Sequence, residues 1–248
     1  SHNLGQGFAK SFEISFLGRN EKPEIPWQNS WGLSTRLIGA TIMTHSDDKG
    51  LILPPKVAYN KIIIIPIIFG DDKETIKKAK ELKEQLKEFN PIIDDRTEYQ
   101  VGYKFNEWEM KGIPLRIEIG PRDLKENKVI IVRRDNGKKE AKTINSQLIH
   151  EIIKILNEMH EDLYQKAESF LKSSIIEVNN FNDFIKAIEK RKLVLANFCG
   201  EEACEDLIKD ETGGASSRCI PFNNEKESSK CVHCGKPSKF KIYFAKSY

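Results

Sequence analysis

The chain has 248 residues, 39% hydrophobic and 31% charged, with 40 Lys and Arg against 37 Asp and Glu. That composition suits a folded protein with one or two cores and excludes disordered, collagen-like and fibrous classes. The longest apolar run, Ile62 to Phe69, is eight residues broken by Pro66, far short of the ~20 that cross a bilayer. A net charge of +3 does not by itself announce nucleic acid. No charged n-region with an apolar core opens the chain, so secretion is not expected. The start at Ser1, inside what reads as folded sequence, points to a piece of something longer. All five cysteines fall between Cys199 and Cys234, too clustered and too odd in number for a disulfide scaffold. A reducing cytoplasm and a bound metal are the expectation.

In chain order, residues 1–53 mix aromatic and glycine-rich stretches with one helix-like run. Ser34 is the candidate N-cap, Leu37, Ile38 and Met43 are its apolar positions, and Asp47 to Gly50 ends it. Leu51-Ile52-Leu53 reads as a short strand running into the stiff Pro54-Pro55 pair, where a domain boundary is placed. Ile62 to Ile68 is a buried strand by length and β-branching. Asp71 to Phe89 is an amphipathic helix with Ile76, Ala79, Leu82 and Leu86 on one stripe. Ile92-Ile93, Leu115 to Ile119 and Lys128 to Arg133 are further strands, with a helix near Asn106 to Met110 and a hairpin-grade turn at Asp135-Asn136-Gly137. A long helix runs from about Asn145 to Leu171. Strands alternating with helices predict an α/β domain with a largely buried sheet. The shorter elements after it carry the cysteines and predict a small α+β unit. Three units are expected, over 1–55, 56–165 and 166–248.

Cys199-x4-Cys204 and Cys231-x2-Cys234 are two close thiol pairs separated by 26 residues. Four thiolates can close a tetrahedral shell, the arrangement zinc favours in structural sites; reduced, buried cysteines without metal are the plain alternative. Gly235 suits the tight turn that aims amides at a thiolate. His233, between two ligands, is expected to point away, and Cys219 to be ordinary core. In Trp31-Gly32-Leu33-Ser34-Thr35-Arg36, an arginine in a first helical turn can form an anion site with the helix amides. A capped helix with an exposed arginine explains the same residues. Gly102 to Arg116 interleaves bases with aromatics, as surfaces that stack bases and neutralise phosphates do. Gly120-Pro121-Arg122-Asp123 and Arg133-Arg134 add basic groups nearby. Aromatics at helical spacing are equally core, and scattered cations equally solvated.

Together these segments resemble class II prolyl-tRNA synthetases of the eukaryotic and archaeal-like type. Ser1-His2-Asn3-Leu4-Gly5-Gln6 is similar to the family's proline-pocket segment. Gln28 to Arg36 is similar to the class II motif 3 region, and Gly50 to Pro55 to the exit from the catalytic domain. Lys104-Phe105, Glu109-Met110-Lys111-Gly112, Arg116-Ile117-Glu118 and Gly120 to Asp123 resemble the prolyl version of the anticodon-binding domain. Cys199-Gly200, Cys204-Glu205, Ile220-Pro221-Phe222 and the ending Tyr243 to Tyr248 resemble the family's zinc domain. Ser46 departs from the family, where glycine is expected in the His-Gly-Asp loop.

The resemblance implies a fold of three parts: the end of a class II catalytic domain, an α/β anticodon-binding domain with a mixed sheet, and a small α+β zinc domain. It implies ATP-dependent activation of proline and transfer to tRNA(Pro). Arg36 is the implied catalytic clamp on ATP with Mg²⁺, and Ser34 a second nucleotide contact. His2, Trp31 and Gly32 are implied in the proline site, with Phe8 a further wall. Phe105, Glu109, Lys111 and Arg116 are implied at the anticodon, and Cys199, Cys204, Cys231 and Cys234 on structural Zn²⁺. Tyr248 is implied to reach towards the active site. Motifs 1 and 2 are expected upstream of Ser1, so the 248-residue chain is expected to be inactive alone and the full-length protein a homodimer. A synthetase-like tRNA-binding adaptor without catalysis is the competing reading. A zinc-dependent DNA-binding protein is weaker, because no recognition-helix pattern accompanies the cysteines.

Overall fold

Ile62, Ile63, Ile64 and Ile65 set the first architecture. Four consecutive β-branched residues favour a strand, and their side chains alternate between its two faces, so both faces must be covered. The computed structural model describes residues 2–68, 70, 72–222 and 229–247, so Ser1, Phe69, Asp71 and Tyr248 of the sequence reading lie outside it. The isoleucines lie in a strand buried at every position. The chain divides into two compact units, residues 1–159 and 160–248.

The first unit opens with β1 (His2–Gly5), α1 (Gly7–Ser11), β2 (Phe16–Leu17), β3 (Pro23–Glu24), β4 (Gln28–Ser30) and α2 (Arg36–His45). β1 pairs antiparallel with β4, and β2 with β3. α2 has no buried residue, and Ala9 is the one buried hydrophobic side chain before Ile52 among the described residues. The N-cap of α2 is Thr35, not Ser34. Thr35 already has helical backbone angles and makes no side-chain cap bond, while the Ser34 carbonyl accepts from the Leu37 amide at 3.1 Å. Leu51 to Leu53 is extended but belongs to no strand. The Leu51 and Leu53 amides donate instead to the carbonyls of Met110 and Gly112, at 3.0 and 3.3 Å, in a helix-terminal turn.

The unit continues with β5 (Ile62–Pro66), α3 (Lys73–Gln85), β6 (Ile92–Ile93), α4 (Val101–Met110), β7 (Leu115–Ile119), α5 (Pro121–Lys125), β8 (Lys128–Arg133), β9 (Lys139–Thr143) and the first part of α6 (Leu148–Ser174), whose residues from His160 on belong to the second unit. Five strands form one sheet in the order β6-β5-β7-β8-β9. β5 is parallel to β6 and β7, and the β7-β8-β9 pairs are antiparallel, which makes the sheet mixed. Ile62, Ile64, Leu115, Ile117 and Ile131 face α3 and α6 and form the main core with Leu82, Leu148 and Ile152. Ile63 and Ile65 face the other way, onto Ile113, Phe105 and Trp108, so α4 covers the second face. α4 starts five residues before the predicted Asn106, because burial of Phe105 and Trp108 outweighs the low helix propensity of Gly102.

The second unit holds β10 (Ile175–Val178), α7 (Phe181–Glu189), β11 (Leu193–Phe198), α8 (Glu202–Thr212), β12 (Ala215–Ser217) and β13 (Phe240–Lys246). Its sheet runs β10-β11-β13-β12, with β10 and β11 parallel and the other pairs antiparallel. Asn180 caps α7 by accepting from the Asp183 amide at 2.9 Å. Phe244 makes edge contacts with Phe184 and Phe198 at 5.2 and 5.4 Å and centres the core. Cys219 is exposed rather than core: it follows β12, and only its backbone joins the sheet, its carbonyl accepting from Tyr243.

Candidate functional site

Period-two alternation along β7 sends Leu115, Ile117 and Ile119 into the main core and turns Arg116 and Glu118 to the opposite face. There the Arg116 guanidinium lies 4.1 Å from the Phe105 ring centroid and its Nε donates to Glu118 at 3.0 Å. Arg116 and Glu109 line one cavity of about 10 Å³ together with Trp108, Arg133 and Arg134. The structure thus brings Phe105, Glu109 and Arg116 together. Phe105 is half-buried, with one face taken by Arg116, so its open ring surface is smaller than an exposed stacking residue would offer. Lys111 caps the end of α4, where its Nζ donates to Glu107 at 2.7 Å and lies 4.2 Å from the Trp108 ring centroid.

Beside these side chains is a partly buried ionic network centred on the buried Asp94 and Lys104. Asp94 accepts from Arg96 through both oxygens, at 2.8 and 2.7 Å, and from the Trp108 indole at 2.7 Å. The buried Lys104 ammonium lies 3.9 Å from the same carboxylate and donates to the Asp94 carbonyl. Arg96 also donates to Glu107 at 2.6 Å, which links Asp94 to Lys111. Burial disfavours the Asp94 charge, but hydrogen bonds from Arg96 and Trp108 and the nearby cations win and lower its pKa to about 2. The Glu107 carboxyl is lowered by Lys111 first and Arg96 second.

The residues implied in ATP and proline binding stand differently. His2, Trp31, Gly32, Ser34 and Arg36 are all exposed, and Trp31 keeps 80% of its surface. β1–β4 pairing sets His2 opposite Ser30, next to Trp31, so the pocket segments are neighbours. Arg36 is the first residue of α2. Phe8 is exposed as well.

In the second unit, Cys199 follows β11, Cys204 lies on α8, and Cys231 and Cys234 flank a turn. One ligand atom from each can lie within 4.8 Å of every other, with Cys204 and Cys231 sulfurs 3.9 Å apart and Cys199 and Cys234 3.7 Å. A tetrahedral ion bound at ~2.3 Å to each sulfur separates the sulfurs by roughly 3.8 Å, so the cluster fits zinc. Burial pushes the Cys199 and Cys204 thiols up. Cys231 is buried too, yet the amides of Cys234, His233 and Cys199 hold its thiol below the ordinary value. Gly235, at φ +71, closes the turn by donating to the Cys231 carbonyl, not to a thiolate. His233 is outside the sulfur cluster but does not point away: Nδ1 lies 3.4 Å from the Cys204 sulfur and Nε2 3.1 Å from Glu211. The edge contact with Phe181 turns the ring inward.

Residues 61–172 match the family described as anticodon binding domain, and residues 181–248 the one described as prolyl-tRNA synthetase, C-terminal. The two matches and the relatives that follow support a prolyl-tRNA synthetase C-terminal portion. It is 43% identical over 251 residues to a proline--tRNA ligase of Alkaliphilus oremlandii, covering all of this chain and 52% of that protein. It is 44% identical over 250 residues to proline--tRNA ligase 2 of Bacillus thuringiensis strain Al Hakam, with the same coverage. For the proline--tRNA ligase of Oceanobacillus iheyensis the identity is 40% over 249 residues, covering 51% of the relative. The chain therefore spans about half the length of these relatives.

Sequence reasoning missed the side chains that hold the site. Arg133 and Arg134, read as basic groups near an RNA-contacting or solvated face, are buried and paired: Arg133 with Asp135 at 2.7 Å, and Arg134 with Asp47 through both oxygens. Arg134 Nε also donates to the Glu109 carbonyl at 2.7 Å, so one guanidinium joins the loop after α2 to the turn carrying Glu109. Hydrogen bonds from Arg134 and the Lys49 amide outweigh burial and lower Asp47 to about 2. One signal was available: Lys104 shares a helical face with Trp108, where a buried cation needs a carboxylate, and Asp94 follows the Ile92-Ile93 strand.

Proposed function

We propose that this chain is the tRNA-reading and C-terminal portion of an enzyme that joins proline to tRNA(Pro). The reaction is ATP + proline → prolyl-adenylate + pyrophosphate, followed by transfer of proline to the 3′ end of the tRNA. The α4–β7 site carries the reading. Arg116 and Lys111 supply donors for guanine O6 and N7, and Glu109 supplies an acceptor for guanine N1–H and the amino group. Proline anticodons share two guanines, which that donor and acceptor set complements. Phe105 backs Arg116, and the Asp94 network fixes the geometry before RNA arrives, which lowers the ordering cost of binding.

Neither chemical step needs a protein nucleophile. Catalysis rests on aligning the carboxylate with the α-phosphate and stabilising the developing charge. Arg36 clamps ATP, whose charge Mg²⁺ helps neutralise, and Ser34 is the second nucleotide contact. His2, Trp31 and Gly32 shape the proline site. Cys199, Cys204, Cys231 and Cys234 hold a structural Zn²⁺ that ties the end of β11 to α8 and the 231–235 turn. We place the enzyme in the cytoplasm as a homodimer; among the described residues no helix is long and apolar enough to cross a membrane.

ATP–pyrophosphate exchange by the full-length protein, run with each of the twenty amino acids, tests the reaction. Exchange with proline alone is expected, and Arg36→Ala is expected to lower turnover by ~10²-fold. No exchange with any amino acid would move the reading to a non-catalytic tRNA-binding adaptor. Metal analysis of the purified chain checks the zinc, with a stoichiometric amount expected.

A further inference from the structure

The exposed side of α4 carries a second aromatic feature that the residues already assigned do not use. Tyr99 and Tyr103 stack with ring centroids 4.7 Å apart and planes 13° apart. Both belong to no core cluster, and they keep 41% and 53% of their surface exposed. Two aromatic rings left in water and held face to face leave open π-surface at a fixed orientation.

That orientation has a support. The Arg96 guanidinium packs on the Tyr99 ring, 4.7 Å from its centroid. Arg96 is itself fixed by Asp94 and Glu107, the same carboxylates that organise Trp108 and Lys111. Tyr103, Glu107 and Lys111 recur every fourth residue and share one stripe of α4, and Tyr99, just before the helix, joins it by stacking on Tyr103. At 1.5 Å of rise per residue, Tyr103 and Lys111 are about 12 Å apart along the helix. Gly102, with nothing within 4 Å of where a Cβ would stand, leaves the backbone beside Tyr103 bare.

We propose that Tyr99 and Tyr103, backed by Arg96, form a stacking platform for an unpaired base of the anticodon loop lying outside the triplet. The inference rests on the reading that the Lys111 end of α4 meets the triplet. A base on Tyr103 would extend the RNA track along the same stripe. Stacking tolerates any base because each has a π-face, so the platform adds affinity and register but no base identity.

The test uses the whole 248-residue chain and a 17-nucleotide RNA hairpin with a proline anticodon, carrying 2-aminopurine directly 3′ of the triplet. The fluorophore is expected to be quenched on binding. Tyr103→Ala is expected to abolish the quench and weaken affinity about 5- to 100-fold, while Tyr103→Phe keeps both. A second hairpin with the two anticodon guanines changed to adenines separates the platform from the triplet reading. If the chain prefers the guanine hairpin but Tyr103→Ala leaves quench and affinity as they were, the platform is wrong and the triplet site stands. If neither hairpin binds, or both bind equally, the triplet reading falls and takes the platform with it.

Discussion

Residues 2–50 and residues 61–159 hold their proposed functional side chains in opposite ways. In the first, His2, Trp31, Ser34 and Arg36 stand exposed on short elements that bury almost nothing. In the second, Arg116, Lys111 and Glu109 rise from a sheet and helix whose buried charges are matched partner by partner. An arginine paired to Glu118 and packed on Phe105 is already aimed. An arginine at the exposed start of α2 is not. The site proposed to read the anticodon is thus preorganised within this chain, and the residues proposed to bind ATP and proline are not.

The sharpest way to break that contrast is Asp94→Asn. It leaves the buried Lys104 without its carboxylate and Arg96 with Glu107 alone, and removing one partner of a buried ion pair costs about 3–5 kcal/mol. Urea unfolding should show a loss of that size; a loss below ~1 kcal/mol would mean the network does not organise the site. Gly50→Ala comes next. Its φ is +129 and an added Cβ would meet the Met110 Cα and carbonyl at 2.6 Å, so the loop after α2 must lift from the 109–112 turn. We expect a loss of about 1–3 kcal/mol, with faster amide exchange concentrated at 47–53 and 109–112. Exchange unchanged at both places would contradict the tie.

Acid is a milder probe. Asp94 and Asp47 have folded-state values near 2, below the ~3.9 of an unfolded aspartate. Their stabilisation is therefore complete above about pH 4 and is lost as pH falls through about 2. Melting temperature should fall across that window, less steeply in Asp94→Asn; equal slopes would remove Asp94 as a source. The smallest effect is expected for Arg36→Ala, within about 0.5 kcal/mol of the parent in stability, since the side chain is exposed. A larger loss, read by the same urea titration, would show the first segment to be more consolidated than its exposure implies.

Much of the fold was legible because its signals are local. Four isoleucines in a row mark β5, the apolar stripe of Ile76, Ala79 and Leu82 marks α3, and Asp135-Asn136-Gly137 marks the turn before β9. β9 itself was not, because Lys139 to Thr143 is an edge strand whose polar residues carry no apolar alternation. The thiol pairs were legible from spacing, and the cluster follows it. The supporting shell was not. Asp94, Lys104 and Trp108 converge only once α4 lies across β5 and β6, and the Asp47–Arg134 pair joins residues 87 apart. A buried charge reads as a surface charge until its partner is known, which is why Arg133 and Arg134 read as basic groups of a surface.

The most direct measurement is equilibrium binding of the 248-residue chain to a tRNA(Pro) transcript and to the same transcript with both anticodon guanines replaced, at one fixed salt concentration. Preference for the unaltered transcript by about 10-fold or more, reduced by Lys111→Ala and by Arg116→Ala, is the predicted result. Equal affinity for the two transcripts would contradict the claim that this chain reads the anticodon of tRNA(Pro).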